Sequence, residues 1–336
     1  MADLPLDADR LATVFGGSGF VGRHIVRALA RDGWRIRAAV RRPDLAGFLR
    51  PLGAVGQIEL VQANLRYPDS VAAAVEGAVA VVNAAGVKRQ RGRQTYEAVH
   101  AAGSAAIARA TAAAGIATLV HVSGIGADPS SPNPYIASKG HGEAAARDAL
   151  PATIVLRPSV VFGPEDDFLN RFGALARALP ALPLFGGGAT RLQPVFAGDV
   201  ALAALAAIDD ASAAGRAYEL GGPEVLTLRE IAVLCLRIAE RRRALVPLPF
   251  ALAKLIAWST EVASTLSFGK FPPKALTTTR DEVELLRYDN VVSQAAIAEG
   301  RTLRGLGISP QGLEAIAPSY LYRFRKTGQY AARRLA

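Results

Sequence analysis

A strand-length run, Leu11 to Phe15, passes without a linker into Gly16-Gly17-Ser18-Gly19-Phe20-Val21-Gly22, and helical periodicity continues from Val21 to Arg31. No other stretch narrows the fold as much as this order of strand, glycines and helix. Gly16 suits a tight turn, Gly19 lets backbone approach a pyrophosphate, and Gly22 lets the helix pack closely on the strand. The helix start then offers unpaired N–H groups and the positive end of its dipole to negative charge. Glycines alone also make ordinary turns. The strand before them and the helix after them imply a dinucleotide site.

The same alternation runs through the first half of the chain. Strands are expected at Leu11–Phe15, Arg35–Val40, Ile58–Gln62, Ala78–Asn83, Thr118–Val122 and Thr153–Arg157, with helical stretches such as Val21–Arg31, Tyr96–Ala114 and Tyr135–Ala149 between them. Apolar strands alternating with amphipathic helices predict βαβ units and a doubly wound parallel α/β sheet. Beyond Gly163 the regularity falls and Pro and Gly punctuate the chain. We therefore expect a nucleotide-binding domain over residues 1–163. A smaller substrate-side region over 164–336 is expected to be interwoven with it, because Ala217 to Leu220 reads as one more strand of the first sheet.

The end of the second strand decides which dinucleotide fits. A carboxylate there would accept from a ribose 2′-hydroxyl, and an arginine would pair a 2′-phosphate. The strand ends Val40-Arg41-Arg42-Pro43, with Asp44 only after the proline. This favours NADP(H) over NAD(H), with Arg41 and Arg42 as phosphate partners; the plainer alternative is that both merely solvate a turn. Further on, Ser123 follows the fifth strand, and Tyr135 and Lys139 sit four apart on one helix face. Such a set can do acid–base work: the ammonium would lower the tyrosine pKa, the phenol would pass a proton, and the serine would hold a carbonyl oxygen.

Bulk properties limit the remaining classes. With 51% hydrophobic and 20% charged residues the chain is ordinary for a globular protein, not a disordered one. Cys235 is the only cysteine and the four histidines are scattered, so neither disulfides nor a metal site is expected. The net charge of +10 suits an acidic partner, an anionic lipid or cofactor phosphates. Its cations gather at Lys88 to Arg93, Arg241 to Arg243, and Arg323 to Arg334. Aromatic residues do not interleave with them as a single-strand nucleic-acid surface would need, and no nucleic-acid motif accompanies them, so no nucleic-acid partner is expected. Residues 249–268 are apolar, but Lys254 and Glu261 interrupt them, so a docked helix is expected rather than a span. No leader peptide is visible; a cytoplasmic protein, peripheral on the inner membrane, is the expectation.

On these residues the chain resembles the extended, atypical short-chain dehydrogenase/reductase superfamily, with its Rossmann-type fold. The glycine loop, Asn83-Ala84-Ala85-Gly86, Ser123, and Tyr135 with Lys139 all match its pattern, and Arg157-Pro158-Ser159 stands where the family's backbone meets the nicotinamide. Where the family often has an aspartate for the adenine pocket, this chain has Asn64-Leu65. Cofactor contacts implied by the resemblance thus fall on Gly16 to Gly22, Arg41, Arg42, Asn64, Leu65, Ala84, Ala85, Gly86, Val122, Tyr135, Lys139, Arg157 and Pro158.

A narrower resemblance lies in Arg157 to Phe172, Gln193 to Asp199, Tyr218 to Pro223, Val246 to Phe250 and Leu285 to Val292. These segments resemble the family of the NADPH-binding accessory subunit of respiratory complex I, the NADH:ubiquinone oxidoreductase. That resemblance implies a firmly held, mainly structural NADPH and complex I subunits as partners, with anionic lipid or quinone beside them. Two alternatives stay open. One is a free-standing NADP-dependent oxidoreductase or epimerase using Ser123, Tyr135 and Lys139. The other is a ubiquinone-biosynthesis factor with a prenyl-quinone pocket drawn from Phe162, Phe168, Phe172 and Leu184, residues that simple core packing also explains.

Overall fold

A computed structural model describes residues 10–266, 277–326 and 328. In chain order its first elements are β1 (Leu11–Phe15), α1 (Phe20–Arg31), β2 (Arg35–Val40), β3 (Ile58–Gln62), α2 (Pro68–Val75), β4 (Ala80–Asn83), α3 (Ala102–Ala113), β5 (Thr118–Val122), α4 (Pro134–Ala149) and β6 (Ile154–Pro158). Then come β7 (Val161–Phe162), α5 (Leu169–Ala178), β8 (Ala181–Phe185), β9 (Arg191–Leu192), β10 (Val195–Phe196), α6 (Ala197–Asp209) and β11 (Ala217–Leu220). β12 (Leu226–Thr227), α7 (Leu228–Ile238), β13 (Ala244–Leu248) and α8 (Phe250–Leu266) follow.

Seven strands form one sheet in the order β11-β6-β5-β4-β1-β2-β3, and every pairing within it is parallel. β1 and β4 are buried along their whole length, as expected of central strands covered by helices on both faces. The strand order reverses at β1, with β2 on one side and β4 on the other. In such sheets the crevice beyond the strands' carboxyl ends at this point takes the ligand. The fold expected from the sequence is the fold observed.

Several boundaries differ from expectation for local reasons. Ala78 closes a turn on Val75 O at 3.0 Å, so β4 starts at Ala80. Thr153 closes one on Leu150 O at 2.9 Å, so β6 starts at Ile154 and runs to Pro158. The single helix expected from Tyr96 is in fact a π-helical turn, Glu97–Ala101, followed by α3.

The chain divides into two compact units, one of Met1–Pro158, Ala197–Leu220 and Val292–Ser309, the other of Ser159–Phe196, Gly221–Val291 and Pro310–Ala336. In the first, α6 lies against α1, and Arg10 joins Asp32 and Asp209 near their ends at 3.3 and 3.1 Å. In the second, β7–β10 and β8–β13 pair in parallel and β9–β12 antiparallel. Its core includes Phe162, Leu169, Ile231, Cys235 and Leu321, with Phe168 and Phe172 packed against it; Leu184 is fully buried as well. Of the residues considered for a quinone pocket, Phe162 and Leu184 are core, and Phe168 and Phe172 are partly buried against it.

Basic residues of the second unit are largely committed to its own chain. Arg325 donates to Ile238 O at the end of α7 at 2.9 Å, Arg243 to Ala176 O near the end of α5 at 2.9 Å, and Arg241 to Phe324 O at 2.6 Å. Guanidinium groups here satisfy helix-terminal carbonyls, where a cation also complements the dipole. Helix α8 buries Ala253 and Ala257 against Val283 and exposes Leu252, Leu255, Ile256, Trp258 and Val262. Among the described residues no helix is long and apolar enough to cross a membrane. Residues 267–268 of the apolar stretch, and Arg333 and Arg334, lie outside the described residues.

Candidate cofactor-binding and catalytic site

The glycine loop is shaped by close approach. Gly16 has φ +75°, and a Cβ there would stand 2.8 Å from the backbone of Ala84 and Ala85. A Cβ on Gly22 would meet Gly16 O at 2.1 Å. The loop closes with Gly19 N donating to Gly16 O at 2.9 Å. Gly19 is exposed and N-caps α1 without any side-chain cap, and the first turn, opened by Phe20 and Val21, carries no acidic residue. Uncapped N–H groups with no nearby carboxylate suit a diphosphate.

Sequence reasoning missed Arg23, which resembles any other surface residue of a helix. Its Nε donates to Gly19 O and its Nη2 to Ser18 O, both at 3.2 Å, and its guanidinium lies 4.8 Å from the centre of the Phe48 ring. It therefore engages the carbonyls of Ser18 and Gly19. Across the switch point, Asn83 steadies the next segment. Its Nδ2 donates to Ser104 Oγ at 3.1 Å and to His121 Nδ1 at 3.0 Å, and its Oδ1 accepts from Ala85 N at 3.1 Å.

Arg41 and Arg42 are both exposed at the end of β2. They are not equivalent. Arg42 pairs with Asp44, Nη2 to Oδ2 at 2.7 Å and Nε to Oδ1 at 3.0 Å, and the pairing lowers the Asp44 pKa and raises that of Arg42. Arg41 makes no side-chain hydrogen bond or ion pair among the described residues. Asn64 and Leu65 follow β3: Asn64 Oδ1 accepts from Arg66 N at 3.2 Å, and Leu65 packs against the core beside Gly103.

At the other end of the site, Asn133 caps α4, its Oδ1 accepting from Tyr135 N at 3.0 Å and Ile136 N at 3.2 Å. That cap, with Pro134 next to it, starts the helix where Tyr135 and Lys139 stand one turn apart. Lys139 Nζ lies 3.5 Å from Val122 O and 3.6 Å from where a Cβ on Gly86 would be, so the ends of β4 and β5 meet α4 here. Ser123 Oγ is buried with no hydrogen-bond partner, and the Tyr135 hydroxyl makes no hydrogen bond among the described residues. Arg157 turns away: its Nε donates to Glu143 Oε1 at 3.0 Å, which fastens β6 to α4. Pro158 contributes backbone, its carbonyl accepting from Ile125 N at 3.0 Å.

The electrostatics do not follow the expected lysine-acidified tyrosine. Burial pushes the Tyr135 phenol above its ordinary value. Burial also brings Lys139 down to about 8, against the pull of Glu143. Tyr135 is therefore a neutral hydrogen-bond donor near pH 7. Among the described residues no three His, Cys, Asp or Glu side chains are grouped to hold a metal ion. The arrangement offers bare N–H groups for a diphosphate, cations at the end of β2, and two unengaged hydroxyls near a lysine.

The chain is similar to several known proteins. Residues 12–221 match the NAD dependent epimerase/dehydratase family. The mitochondrial NADH dehydrogenase [ubiquinone] 1 alpha subcomplex subunit 9 of Arabidopsis thaliana is 33% identical over 95% of this chain and 79% of its own. A ceramide reductase of Caulobacter vibrioides is 38% identical over 53% of this chain and 55% of its own. The NADPH-dependent quinone oxidoreductase of Escherichia coli, solved with NADPH, superposes with a TM-score of 0.68 at 19% identity, covering 93% of this chain and 99% of that one.

Proposed function

The chain belongs to the NAD dependent epimerase/dehydratase family, and on that premise we propose that it is an NADP(H)-holding accessory subunit of NADH:ubiquinone oxidoreductase, respiratory complex I, whose nucleotide serves structure more than turnover. The observation that carries this reading is the extent of likeness: subunits of that complex from three kingdoms match the chain through both of its compact units. The site supports it. Gly16 to Gly22 would take the diphosphate, Arg41 and Arg42 a 2′-phosphate, and Asn64 with Leu65 the adenine. Ala84, Ala85, Gly86 and Val122 would line the nucleotide; Tyr135 and Lys139 would hold the ribose, and the backbone of Arg157 and Pro158 would face the nicotinamide. Bound there, the nicotinamide could supply a hydride; everything else that the chain contributes is grip and orientation.

Complex I subunits are the partners on this reading, with anionic lipid or quinone next to the exposed apolar side of α8. An apolar helix face of this size is rarely left bare in a monomer. We place the protein at the periphery of the membrane that carries the complex. The test is purification from native membranes in mild detergent, reading bound nucleotide and travelling subunits together. NADPH with complex I subunits is the expected result; protein recovered alone and free of nucleotide overturns it.

A second reading, an NADP-dependent reductase of its own, is favoured by the unengaged hydroxyls of Ser123 and Tyr135 and by the likeness to a reductase. Tyr135→Phe separates the two. As ribose anchor, Tyr135 is one hydrogen bond, and its loss weakens NADPH binding by about tenfold or less. As acid, its loss lowers a measured turnover by roughly 10²–10⁴-fold.

A further inference from the structure

His100 is buried in the π-helical turn Glu97–Ala101, and each of its ring nitrogens has a partner. Val87 N donates to Nε2 at 2.9 Å. A backbone N–H can only donate, so Nε2 bears the lone pair and the neutral ring carries its hydrogen on Nδ1. Nδ1 stands 2.8 Å from Ser138 Oγ and therefore donates to it; Ser138 Oγ in turn donates to Tyr135 O at 2.7 Å. Every donor and acceptor in this run is used in a single consistent sense.

We propose that His100 is a positioning residue: through one neutral imidazole it ties the Gly86–Val87 segment beyond β4 to the Tyr135 turn of α4, and so fixes the spacing between the two surfaces that meet the nicotinamide half of the cofactor. This rests on the reading of the site as an NADP(H) holder.

Packing supports the tie. The imidazole is stacked with Tyr96, ring centres 5.6 Å apart, and meets the Tyr135 ring edge-on at 5.7 Å. Helix α4 comes so close that a Cβ on Gly142 would stand 2.4 Å from His100 O, and a Cβ on Gly86 would lie 3.5 Å from His100 Nε2. π-Helical turns widen a helix locally and often mark functional positions. Protonation is opposed by burial and by two neighbouring basic side chains. Burial comes first, then the charge of Lys139 on α4 and the nearness of the His121 ring on β5, and together they bring His100 down to about 3. A protonated ring would also set a second N–H against that of Val87.

The test uses the full chain and two probes, NADPH and 2′,5′-ADP, which lacks the nicotinamide half. His100→Leu weakens NADPH by about tenfold or more, because two hydrogen bonds are lost, and leaves 2′,5′-ADP unchanged. His100→Gln keeps an acceptor for Val87, and His100→Asn a donor near Ser138; each restores part of the loss. Ser138→Ala, a smaller deletion, gives the same pattern if His100→Leu does not fold. Equal loss of both probes, or of neither, overturns the proposal. Nitrogen-15 shifts of His100, read without nucleotide, decide the tie independently. A neutral Nδ1–H ring from about pH 5 to about pH 8 supports it, and a ring titrating near its ordinary value refutes it. If the wild-type chain binds no NADPH, the cofactor reading fails while the nitrogen shifts still judge the tie.

Discussion

The loop at the end of β1 and the cluster beyond β5 stand at the carboxyl ends of strands of one sheet, but they are built from different materials. The first is backbone: two positions where a Cβ would collide, an uncapped helix start, and Arg23 engaging two carbonyls. The second is side chains: a buried hydroxyl, a phenol held neutral, a lysine shifted by burial, and an ion pair behind them. A backbone site is fixed by what cannot be added to it. A side-chain site is fixed by what surrounds it, and so can hold a cofactor or catalyse with the same atoms. The two regions should respond differently to perturbation, which gives ways of testing the contrast.

The largest effect is expected from Gly22→Val. Its Cβ would stand 2.1 Å from Gly16 O, so loop or helix must shift. Overpacking of this kind costs about 1–3 kcal/mol, and here it falls on the phosphate-facing turn. NADPH and NADH affinity should drop together by about 100-fold, measured by fluorescence titration. Unchanged binding of either would mean that the loop is not the diphosphate site.

Glu143→Gln probes the other region through its support. The change leaves the Arg157 charge half-buried without its partner, which costs up to about 3 kcal/mol. Thermal unfolding should shift clearly downward, while binding of 2′,5′-ADP to the folded protein is retained. Loss of that binding would show that the two ends of the site are not separable.

The titration of Lys139 sharpens the contrast further. Its folded value, about 8, lies below its ordinary 10.5, so between these values the unfolded chain binds more protons than the folded one. Stability therefore rises with pH across that window, and below about pH 8 the buried ammonium is a cost. Lys139→Met should be the more stable form near pH 7 and lose its advantage toward pH 10, measured by urea denaturation. A constant difference between the two would place Lys139 in solvent.

The glycine loop and the parallel sheet were legible because each follows from local spacing: strand, glycines, helix, and alternation through β6. Ser123, Tyr135 and Lys139 could be named from spacing, but their electrostatics could not. Spacing implied an acidified tyrosine, whereas burial, a property of the whole fold, raises it. His100 was not legible, since its partners Val87 and Ser138 come from separate elements and its placement depends on a π turn that no periodicity announces. Nor were the basic clusters. In the sequence Arg241, Arg243 and Arg325 show only charge, whereas in the fold they satisfy carbonyls of their own unit.

The smallest effect concerns the choice between nucleotides, where the two arginines read as one feature are physically distinct. Arg42 is held by Asp44, two residues on, in a bidentate pair exposed to water, while Arg41 is unengaged. A 2′-phosphate would recruit Arg41 directly but must compete with Asp44 for Arg42, and it would be repelled by the same carboxylate. Arg41→Gln should therefore lower the preference for NADPH over NADH more than Arg42→Gln does, each by only several-fold, since exposed ion pairs are screened by water. Asp44→Asn should move the preference the other way, toward NADPH, by a few-fold. Should Asp44→Asn instead weaken NADPH, the carboxylate would be organising Arg42 for the phosphate, and the end of β2 would join the glycine loop as a preformed site.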